Sequence, residues 1–214
     1  MGQPELPPVA PGTVVAEIST SLDGYVTAPD DRPGQGLGVG GEVLHDWVFG
    51  GPWTYAEAAG GALGQATGVD RQVFDRVFAG AGAAIVGRRM YDVAEGWGEE
   101  SAFGIPCFVV TSRAGEPRVV GAGTYTFITD GVRSAVRQAK EAAGGRHVLL
   151  CGGASVIDQC LAAGLVDEMD LHVAPVLLGS GRRLFADVGG RVTLEQLGVV
   201  QSALSTHLRY RVVW

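Results

Sequence analysis

Four strand-like segments of the chain end on residues whose chemistry suits a phosphorylated ligand. The apolar run at 148–151 is followed by Gly152 and Gly153, after which Ala154 and Ser155 begin a helical pattern. Adjacent glycines let a ligand approach the backbone, and the N–H groups of a helix's first turn attract anions. The pattern predicts a pyrophosphate-binding turn, although taken alone it suits a tight strand-to-helix connection equally well.

The ends of three other apolar segments carry hydroxyl groups, glycines and cations. Guanidinium groups bind phosphate through paired hydrogen bonds and hydroxyl groups complete the shell, so these ends suit a ribose phosphate. A single arginine is usually a solvated surface cation, and we expect that role for at least one of Arg88, Arg89 and Arg113. These ends do not follow the G-x-G-x-x-G pattern of Rossmann dehydrogenases. The residues are Ser19, Asp23 and Gly24 after the first segment, Gly87, Arg88 and Arg89 after the second, and Thr111, Ser112 and Arg113 after the third.

Glu17 is a carboxylate in the otherwise apolar and β-branched segment 14–22. A carboxylate in a buried strand must be paired, protonated or directed into a cavity, because burying an isolated charge is costly. Glu17 and Ser19 are two residues apart, so a strand directs both side chains to the same face. A position at a strand end that reaches water is equally consistent with the sequence.

Strands and helices alternate along the chain, which predicts an α/β fold with a mostly parallel central sheet and helices on both faces. The last two strands are expected to form an antiparallel C-terminal hairpin. Because ligands bind at the carboxyl ends of parallel strands, the four segment ends should form one site. Strands are predicted at 14–22, 83–86, 105–111, 124–129, 148–150, 169–178, 193–200 and 206–214, and helices at 42–49, 70–79, 132–143 and 154–163.

Residues 13–214 are predicted to form a single domain. Residues 1–12 contain four prolines and little that could pack, which indicates a flexible N-terminal arm. The Gly-, Pro- and Asp-rich segment 28–41 is predicted to be a flexible loop of the kind that often acts as a lid. The segment 50–66 has no clear periodicity and is interpreted as a surface insertion.

Composition argues against several classes of function. The chain has 16 Lys and Arg against 23 Asp and Glu, and no basic run that would neutralise nucleic-acid phosphates. No apolar stretch approaches the ~20 residues of a membrane span, and no signal-peptide pattern is seen, so a cytoplasmic protein is expected. Cys107, Cys151 and Cys160 stand singly in apolar segments, which predicts buried side chains and no metal site.

Six short motifs follow one another along the chain: Ser21-Leu22-Asp23-Gly24, Val86-Gly87-Arg88-Arg89-Met90-Tyr91-Asp92, Val110-Thr111-Ser112-Arg113, Gly152-Gly153-Ala154, Val166-Asp167-Glu168 and Pro175-Val176-Leu177-Leu178-Gly179-Ser180-Gly181. Each motif is short, but their order and spacing together are specific. From residue 14 to the C-terminus the chain resembles the dihydrofolate reductase-like proteins related to the reductase domain of the bifunctional riboflavin-biosynthesis deaminase-reductase.

The resemblance implies a dihydrofolate reductase-like fold, NADPH as the hydride donor and a homodimer. At the matching positions it implies that Ser19 lies beside the nicotinamide and that 87–89 and 111–113 surround the adenosine 2′-phosphate. The turn after the first strand adds Asp23, Gly24 and Val26 to the implied cofactor contacts. The implied pyrophosphate contacts are Gly152, Gly153, Ala154, Ser155 and Val156.

The resemblance also suggests residues for the substrate side. Dihydrofolate reductases carry a pterin-binding carboxylate on their first helix, and Asp46 is the nearest match, although its neighbours His45 and Trp47 depart from the folate-enzyme pattern. Glu17 could supply this carboxylate instead. His172 matches a position that faces the pterin; a histidine there can relay a proton near neutral pH, although a lone strand histidine is more often structural. Asp46, Glu17 and His172 are therefore the candidate catalytic residues.

The sequence thus predicts an NADPH-dependent reductase of a small heterocyclic, pterin- or pyrimidine-like substrate. One alternative is the aminopyrimidine reductase of riboflavin-type synthesis; no H-x-E…C-x-x-C deaminase signature accompanies it in this chain. The other alternative is a dimeric nucleotide-binding module without turnover. Consumption of NADPH with a panel of acceptors distinguishes these functions.

Overall fold

The computed structural model describes residues 6–59, 65–98 and 103–214 of the chain. The beginning of the predicted arm, 1–5, and part of the segment interpreted as a surface insertion, 60–64, lie outside the described residues. Within the described ranges, a nine-stranded sheet and a two-stranded ribbon account for the strands.

Strands alternate with helices along much of the chain, as the sequence pattern predicts. The strands are β1 (Val14–Ser21), β2 (Tyr25–Thr27), β3 (Ala81–Gly87), β4 (Cys107–Val110), β5 (Arg118–Val120), β6 (Gly123–Ile128), β7 (His147–Leu150), β8 (Glu168–Ala174), β9 (Arg182–Arg183), β10 (Thr193–Gln201) and β11 (Thr206–Val213). The helices are α1 (Asp46–Phe49), α2 (Tyr55–Ala59), α3 (Gly68–Phe78), α4 (Arg88–Val93), α5 (Val132–Ala143) and α6 (Ala154–Ala162), with 3₁₀ turns at Glu42–His45 and Glu95–Trp97.

The large sheet has the strand order β10-β11-β8-β1-β7-β3-β4-β6-β5. The six strands from β8 to β6 run parallel to one another. The hairpin of β10 and β11 adds two antiparallel strands at one edge, and β5 adds one at the other. This arrangement confirms the predicted mostly parallel sheet with an antiparallel C-terminal hairpin.

Helices cover both faces of the sheet. On one face, α5 and α6 pack on β3 and β7, and α5 buries Val132, Ala135, Val136 and Ala139, which share one side of the helix at 3.6-residue spacing. On the other face, Val77 of α3 is part of a second core with residues of β3, β4 and β7. The parallel strands are thereby buried on both sides, which explains their continuous apolar runs.

Several elements differ from the sequence prediction. The segment predicted as one helix, 42–49, is a 3₁₀ turn followed by the single turn of α1. The strand predicted at 169–178 ends at Ala174, because Pro175 has no N–H to continue the sheet. The short edge strand β5 was not predicted, and neither was the antiparallel ribbon of β2 and β9.

The described part of the N-terminal arm lies against the antiparallel hairpin. Leu6 packs close to Gly198 of β10, where an added Cβ would come within 2.7 Å of the leucine Cδ2. The carbonyl oxygens of Pro7 and Pro8 accept hydrogen bonds from the buried Arg209 guanidinium of β11. The arm is therefore tethered along residues 6–8. For the other residues of the arm, flexibility stays a prediction. Among the described residues, no helix is both long enough and apolar enough to cross a membrane.

Candidate active site

A cleft of ≈1150 Å³ opens at the carboxyl ends of β1, β7, β3 and β4. Its volume exceeds the ~300–1,000 Å³ of most small-ligand pockets. Three inter-strand spacings of ~4.8 Å separate β1 from β4, so the lining extends for ~14 Å across the sheet. The cleft therefore has room for an extended ligand and a second molecule. Of the residues singled out in the sequence, its lining includes Glu17, Ser19, Val26, Gly87, Arg88, Arg89, Thr111, Ser112, Gly153, Ala154, Ser155 and Val156.

The glycine turn after β7 leads directly into this cleft. The Gly152–Gly153 peptide bond is cis, and Gly153 is the N-cap of α6, a helix without a side-chain cap. Gly153 has φ −73°, and an added Cβ would meet no atom within 4 Å. Its open side thus faces free space in the cleft. The turn has the form expected of a phosphate-binding turn, in which the helix N-terminus favours an anion.

Gly87 holds a second strand end against this turn. Its N–H donates a hydrogen bond of 2.6 Å to the carbonyl oxygen of Gly152. A Cβ at Gly87 would lie 3.0 Å from Val156 Cγ2 and 3.3 Å from the Gly153 nitrogen. Glycine is required here by the close approach of the two strand ends, and this brings the start of α4 beside the start of α6.

Arg88 and Arg113 share one carboxylate. Arg88 Nε lies 2.7 Å from Asp92 Oδ1, and Arg113 Nη2 lies 2.6 Å from Asp92 Oδ2. Although partial burial opposes the effect, hydrogen bonds from the two guanidinium groups lower the pKa of Asp92. Two cations and one carboxylate leave a net positive charge beside the hydroxyl groups of Thr111 and Ser112. Arg88 lines the cleft, whereas Asp92 and Arg113 lie outside the lining.

A second pair of arginines closes around Asp31, in the segment predicted to be a flexible loop. Asp31 Oδ2 lies 2.5 Å from Arg89 Nε and 3.1 Å from Arg182 Nε. All three residues line the cleft, together with Arg183, whose guanidinium lies over the ring of Tyr25. The loop is thus fastened by ion pairs to α4 and β9. Asp31, Arg182 and Arg183 were not predicted as site residues from the sequence.

Asp23, Gly24 and Gly152 lie outside the cleft lining. The Asp23 carboxylate accepts hydrogen bonds from the Ser21 hydroxyl and from the backbone N–H groups of Leu178 and Gly179. These bonds join the first and last of the six sequence motifs. They also lower the pKa of Asp23, chiefly through the Ser21 hydrogen bond. The placement of Asp23 supports a structural role.

Two rows of polar side chains cross β1, β8 and β11 on the face beneath α1 and α3. In one row Ser19 pairs with His172 and His172 with His207; in the next, Glu17 pairs with Asp170. The residues alternate with buried apolar ones, as the two-residue period of a strand requires. Trp47 of α1 covers the first row, and its indole N–H donates a 2.9 Å hydrogen bond to the Ser19 hydroxyl.

Glu17 is a buried carboxyl group that lines the cleft. Its exposure is 8%, and burial raises its pKa to about 7. His172 Nε2 lies 3.0 Å from Glu17 Oε1, and the histidine itself is buried behind Glu17 and away from the cleft lining. Glu17 therefore presents a carboxyl group to the cleft at the pKa that suits a general acid near neutral pH.

Asp46 is not part of the cleft lining, although its neighbours His45 and Trp47 are. Partial burial raises the pKa of Asp46, and burial lowers that of His45 to about 4, so His45 is a neutral ring in the cleft. The single turn of α1 directs adjacent residues to different sides, which explains why sequence position did not show which of the three reaches the cleft. Of the two candidate carboxylates, the structure brings Glu17 to the cleft.

Comparison with known proteins relates this geometry to one family. The family described as the RibD C-terminal domain matches residues 12–208. Uncharacterized protein YyaP of Bacillus subtilis is 40% identical over 82 residues, which cover 35% of this chain and 43% of YyaP. Uncharacterized protein YwjB of the same organism is 30% identical over 104 residues, 49% of this chain and 58% of YwjB. The chain thus spans about half the length of these relatives in the matched regions.

Solved structures share the fold at low sequence identity. A putative riboflavin biosynthesis protein from Shewanella sp. PV-4 has a TM-score of 0.69 at 18% identity, with 94% of this chain and 99% of that chain covered. Dihydrofolate reductase from Enterococcus faecalis, complexed with NADP(H), has a TM-score of 0.55 at 15% identity, with 94% and 96% covered. A deaminase/5-amino-6-(5-phosphoribosylamino)uracil reductase from Thermotoga maritima has a TM-score of 0.58 at 14% identity, with 93% and 56% covered. These similarities show the fold alone.

Proposed function

Because the chain belongs to the RibD C-terminal domain family, whose match confirms the resemblance stated from the sequence, we propose that it is an NADPH-dependent reductase of a small heterocyclic substrate. The observation that carries the proposal is the set of residues that line the cleft at the strand ends. A phosphate-type turn and arginine-flanked hydroxyl groups lie on β7, β3 and β4, and a buried carboxyl group with a pKa of about 7 lies on β1.

The residues present fit NADPH. The open face of Gly153 and the uncapped start of α6 suit the pyrophosphate. Thr111, Ser112 and the net positive group of Arg88, Asp92 and Arg113 suit the adenosine 2′-phosphate, with Arg88 in the cleft and Arg113 acting through Asp92. NADPH supplies a hydride when bound, and Ser19 on β1 is the residue proposed to lie beside its nicotinamide.

Glu17 is proposed to donate the proton that accompanies hydride transfer. A C=N or C=C bond conjugated to a polar group needs one hydride and one proton for reduction, and a buried carboxyl group with a pKa of about 7 can release a proton near neutral pH. The neutral ring of His45 and the indole of Trp47 border the same part of the cleft. They suit a flat heterocycle, since aromatic rings pack with centroids ~4.5–7 Å apart.

A second candidate is the aminopyrimidine reductase of riboflavin-type synthesis. It is favoured by Arg182 and Arg183, which line the cleft and could bind a sugar phosphate carried by the substrate. Arg182 would then exchange its Asp31 partner for the phosphate. A pterin without phosphate needs no such cation, so the dependence of turnover on a phosphate group separates the two candidates.

The test is oxidation of NADPH by the full chain, followed by absorbance with pterins, quinones, nitroaromatics and phosphorylated or unphosphorylated aminopyrimidines. Turnover with one class, and its loss in Glu17→Gln with NADPH binding retained, is the expected result. Binding of NADPH without its oxidation by any of these acceptors would favour a nucleotide-binding module. Absence of NADPH binding by calorimetry would refute the cofactor assignment. The homodimer implied by the family resemblance stays a prediction.

A further inference from the structure

A chain of four buried polar side chains extends from the cleft to the first turn of α3. Glu17 Oε1 lies 3.0 Å from His172 Nε2, His172 Nδ1 lies 2.8 Å from His207 Nδ1, and His207 Nε2 lies 2.8 Å from Asp70 Oδ1. The four residues are between 0% and 8% exposed. Only Glu17 lines the cleft, and the other three have no part in the function proposed above.

The number of protons in this chain follows from its contacts. Each of the three contacts joins two atoms that can both accept a hydrogen bond, so each contact needs one proton. Two neutral imidazole rings supply two protons. The third proton must lie on Glu17, on an imidazole ring or on Asp70, because a contact without a proton would leave two buried lone pairs facing each other.

Burial and the position of Asp70 decide between these placements. A proton on a ring would give three buried charges, the imidazolium and both carboxylates, whereas a proton on either carboxyl group leaves one. Asp70 lies in the first turn of α3, where the helix dipole stabilises a carboxylate. Glu17 has no such helix terminus. Two arrangements leave a single buried charge. The helix dipole at Asp70 favours the one in which Glu17 is protonated and Asp70 is charged.

We infer that Asp70, His207 and His172 keep Glu17 protonated by fixing the tautomers of the two histidines. Asp70 accepts the Nε2–H of His207, which leaves His207 Nδ1 bare. His172 then donates its Nδ1–H to that nitrogen and turns a bare Nε2 towards Glu17. The bare nitrogen can accept a hydrogen bond from the protonated carboxyl group of Glu17 and disfavours the carboxylate. His172, His207 and Asp70 are thus positioning residues for Glu17. Their contribution to catalysis rests on the proposed function, in which Glu17 is the proton donor.

The surroundings of His172 are consistent with a ring that stays neutral. Burial, followed by the neighbouring His207, holds the pKa of His172 well below its ordinary value. Trp47 packs on both rings, with centroids 4.3 Å from His172 and 5.1 Å from His207. Apart from the contact with Glu17, which is within hydrogen-bond distance but not fully aligned, His172 Nε2 has no polar partner among the described residues.

Other charged or titratable groups face Glu17 from the packed elements. Arg76 of α3 lies 3.0 Å from Asp170 of β8, and Arg76 and His45 both favour the charged form of Glu17. These effects are smaller than that of burial, which raises the pKa of Glu17. Cys151 also lies close, and burial raises its thiol pKa so that it stays neutral. Among the opposing influences His45 is the largest, followed by Arg76 and then His207. Arg76 is paired with Asp170, and that pair is nearly neutral in sum.

In a reduction, the substrate accepts a hydride from NADPH, which becomes NADP⁺, and a proton from the carboxyl group of Glu17. Glu17 is left as a carboxylate beside a bare imidazole nitrogen. This unfavourable contact is relieved when Glu17 takes up a proton from the buffered solvent, which supplies the one proton consumed in each reduction. The buried chain therefore restores the donor after each turnover.

The inference is tested by ¹⁵N NMR of the full chain labelled on its four histidines, without ligand, at about pH 6. The expected spectrum shows His207 protonated on Nε2 alone and His172 on Nδ1 alone. A proton on His172 Nε2, or a doubly protonated His207, would overturn the inference. The measurement uses neither NADPH nor turnover, so its result is independent of the proposed function.

A variant tests the direction of the effect. His207→Phe removes the acceptor that fixes His172, so His172 can turn an Nε2–H towards Glu17 and stabilise its carboxylate. The acid dissociation constant of Glu17, followed by the ¹³C shift of its labelled carboxyl group, should rise at least tenfold. His147→Phe is the matched control, because His147 lies on β7 and contacts Val77 outside the chain of four. An unchanged Glu17 in folded His207→Phe would overturn the inference.

Discussion

The buried carboxyl group of Glu17 predicts a pH-dependent stability that Glu17→Gln should remove. The folded protein holds the pKa of Glu17 at about 7, against an ordinary value of 4.5 in the unfolded chain, because the side chain is buried. The folded state therefore binds a proton that the unfolded state has released, and stability falls as pH rises between these values. The favourable contribution is complete below about pH 4.5 and lost above about pH 7.

The size of the effect follows from the two pKa values. Each pH unit between them corresponds to ~1.4 kcal/mol, so ionisation of Glu17 should remove about 3 kcal/mol of stability between pH 4.5 and 7. Glutamine has nearly the same shape and no charge, and its amide can donate a hydrogen bond to His172 Nε2. The variant should keep the stability of the protonated wild type at low pH and exceed the wild type by about 3 kcal/mol at high pH.

The assay is urea unfolding of wild type and Glu17→Gln at about pH 5 and about pH 8, with the free energy of unfolding extrapolated to water. Glu195→Gln is the matched control, since Glu195 pairs with Arg211 on the exposed hairpin and should shift stability by less than ~1 kcal/mol at either pH. Parallel pH dependence in wild type and Glu17→Gln would show that Glu17 is already ionised at low pH. That result would refute the assignment of Glu17 as a proton donor.

Three further variants test the cofactor site and the structural role of Asp23. Arg88→Ala with Arg113→Ala should weaken NADPH at least tenfold and NADH little, because charge-assisted hydrogen bonds to phosphate contribute ~1.5–3 kcal/mol each; calorimetry measures both, Arg211→Ala is the control, and equal losses would exclude contact with the 2′-phosphate. Gly153→Val should abolish NADPH binding in the folded variant, because the added side chain would occupy the open space proposed for the pyrophosphate; retained affinity would contradict the phosphate-binding turn. Asp23→Ala should lower the free energy of unfolding, measured by urea unfolding, through loss of its bonds to Leu178 and Gly179, with NADPH affinity unchanged; a selective loss of affinity would return Asp23 to the cofactor site.

Features with a local cause were predictable from the sequence. Helix α5 begins and ends at the predicted residues, because Val132, Ala135, Val136 and Ala139 mark its buried side and the left-handed Gly144 ends it. The strand ends that line the cleft were predictable because the topology of a parallel sheet brings them to one edge. The Arg88–Asp92 pair has the i,i+4 spacing of a local helix pair, but it was not predicted from the sequence.

Features that depend on register between distant segments were not predictable. The chain of Glu17, His172, His207 and Asp70 joins β1, β8, β11 and α3, and one residue of slip in any strand would turn its polar side chain to the other face. The alternation of Asp170 and His172 with apolar residues was the available signal of a covered polar row. The choice of Glu17 over Asp46 depended on the direction of one helical turn, which composition and periodicity do not determine.

A structure of the full chain with NADPH bound would locate the cofactor in or outside the cleft. We expect the nicotinamide beside Ser19 and within reach of Glu17, the pyrophosphate at Gly153 and the start of α6, and the 2′-phosphate against Ser112 and Arg88. NADPH bound outside the cleft, or bound with its adenosine at Glu17, would refute both the cofactor assignment and the role of Glu17 as proton donor.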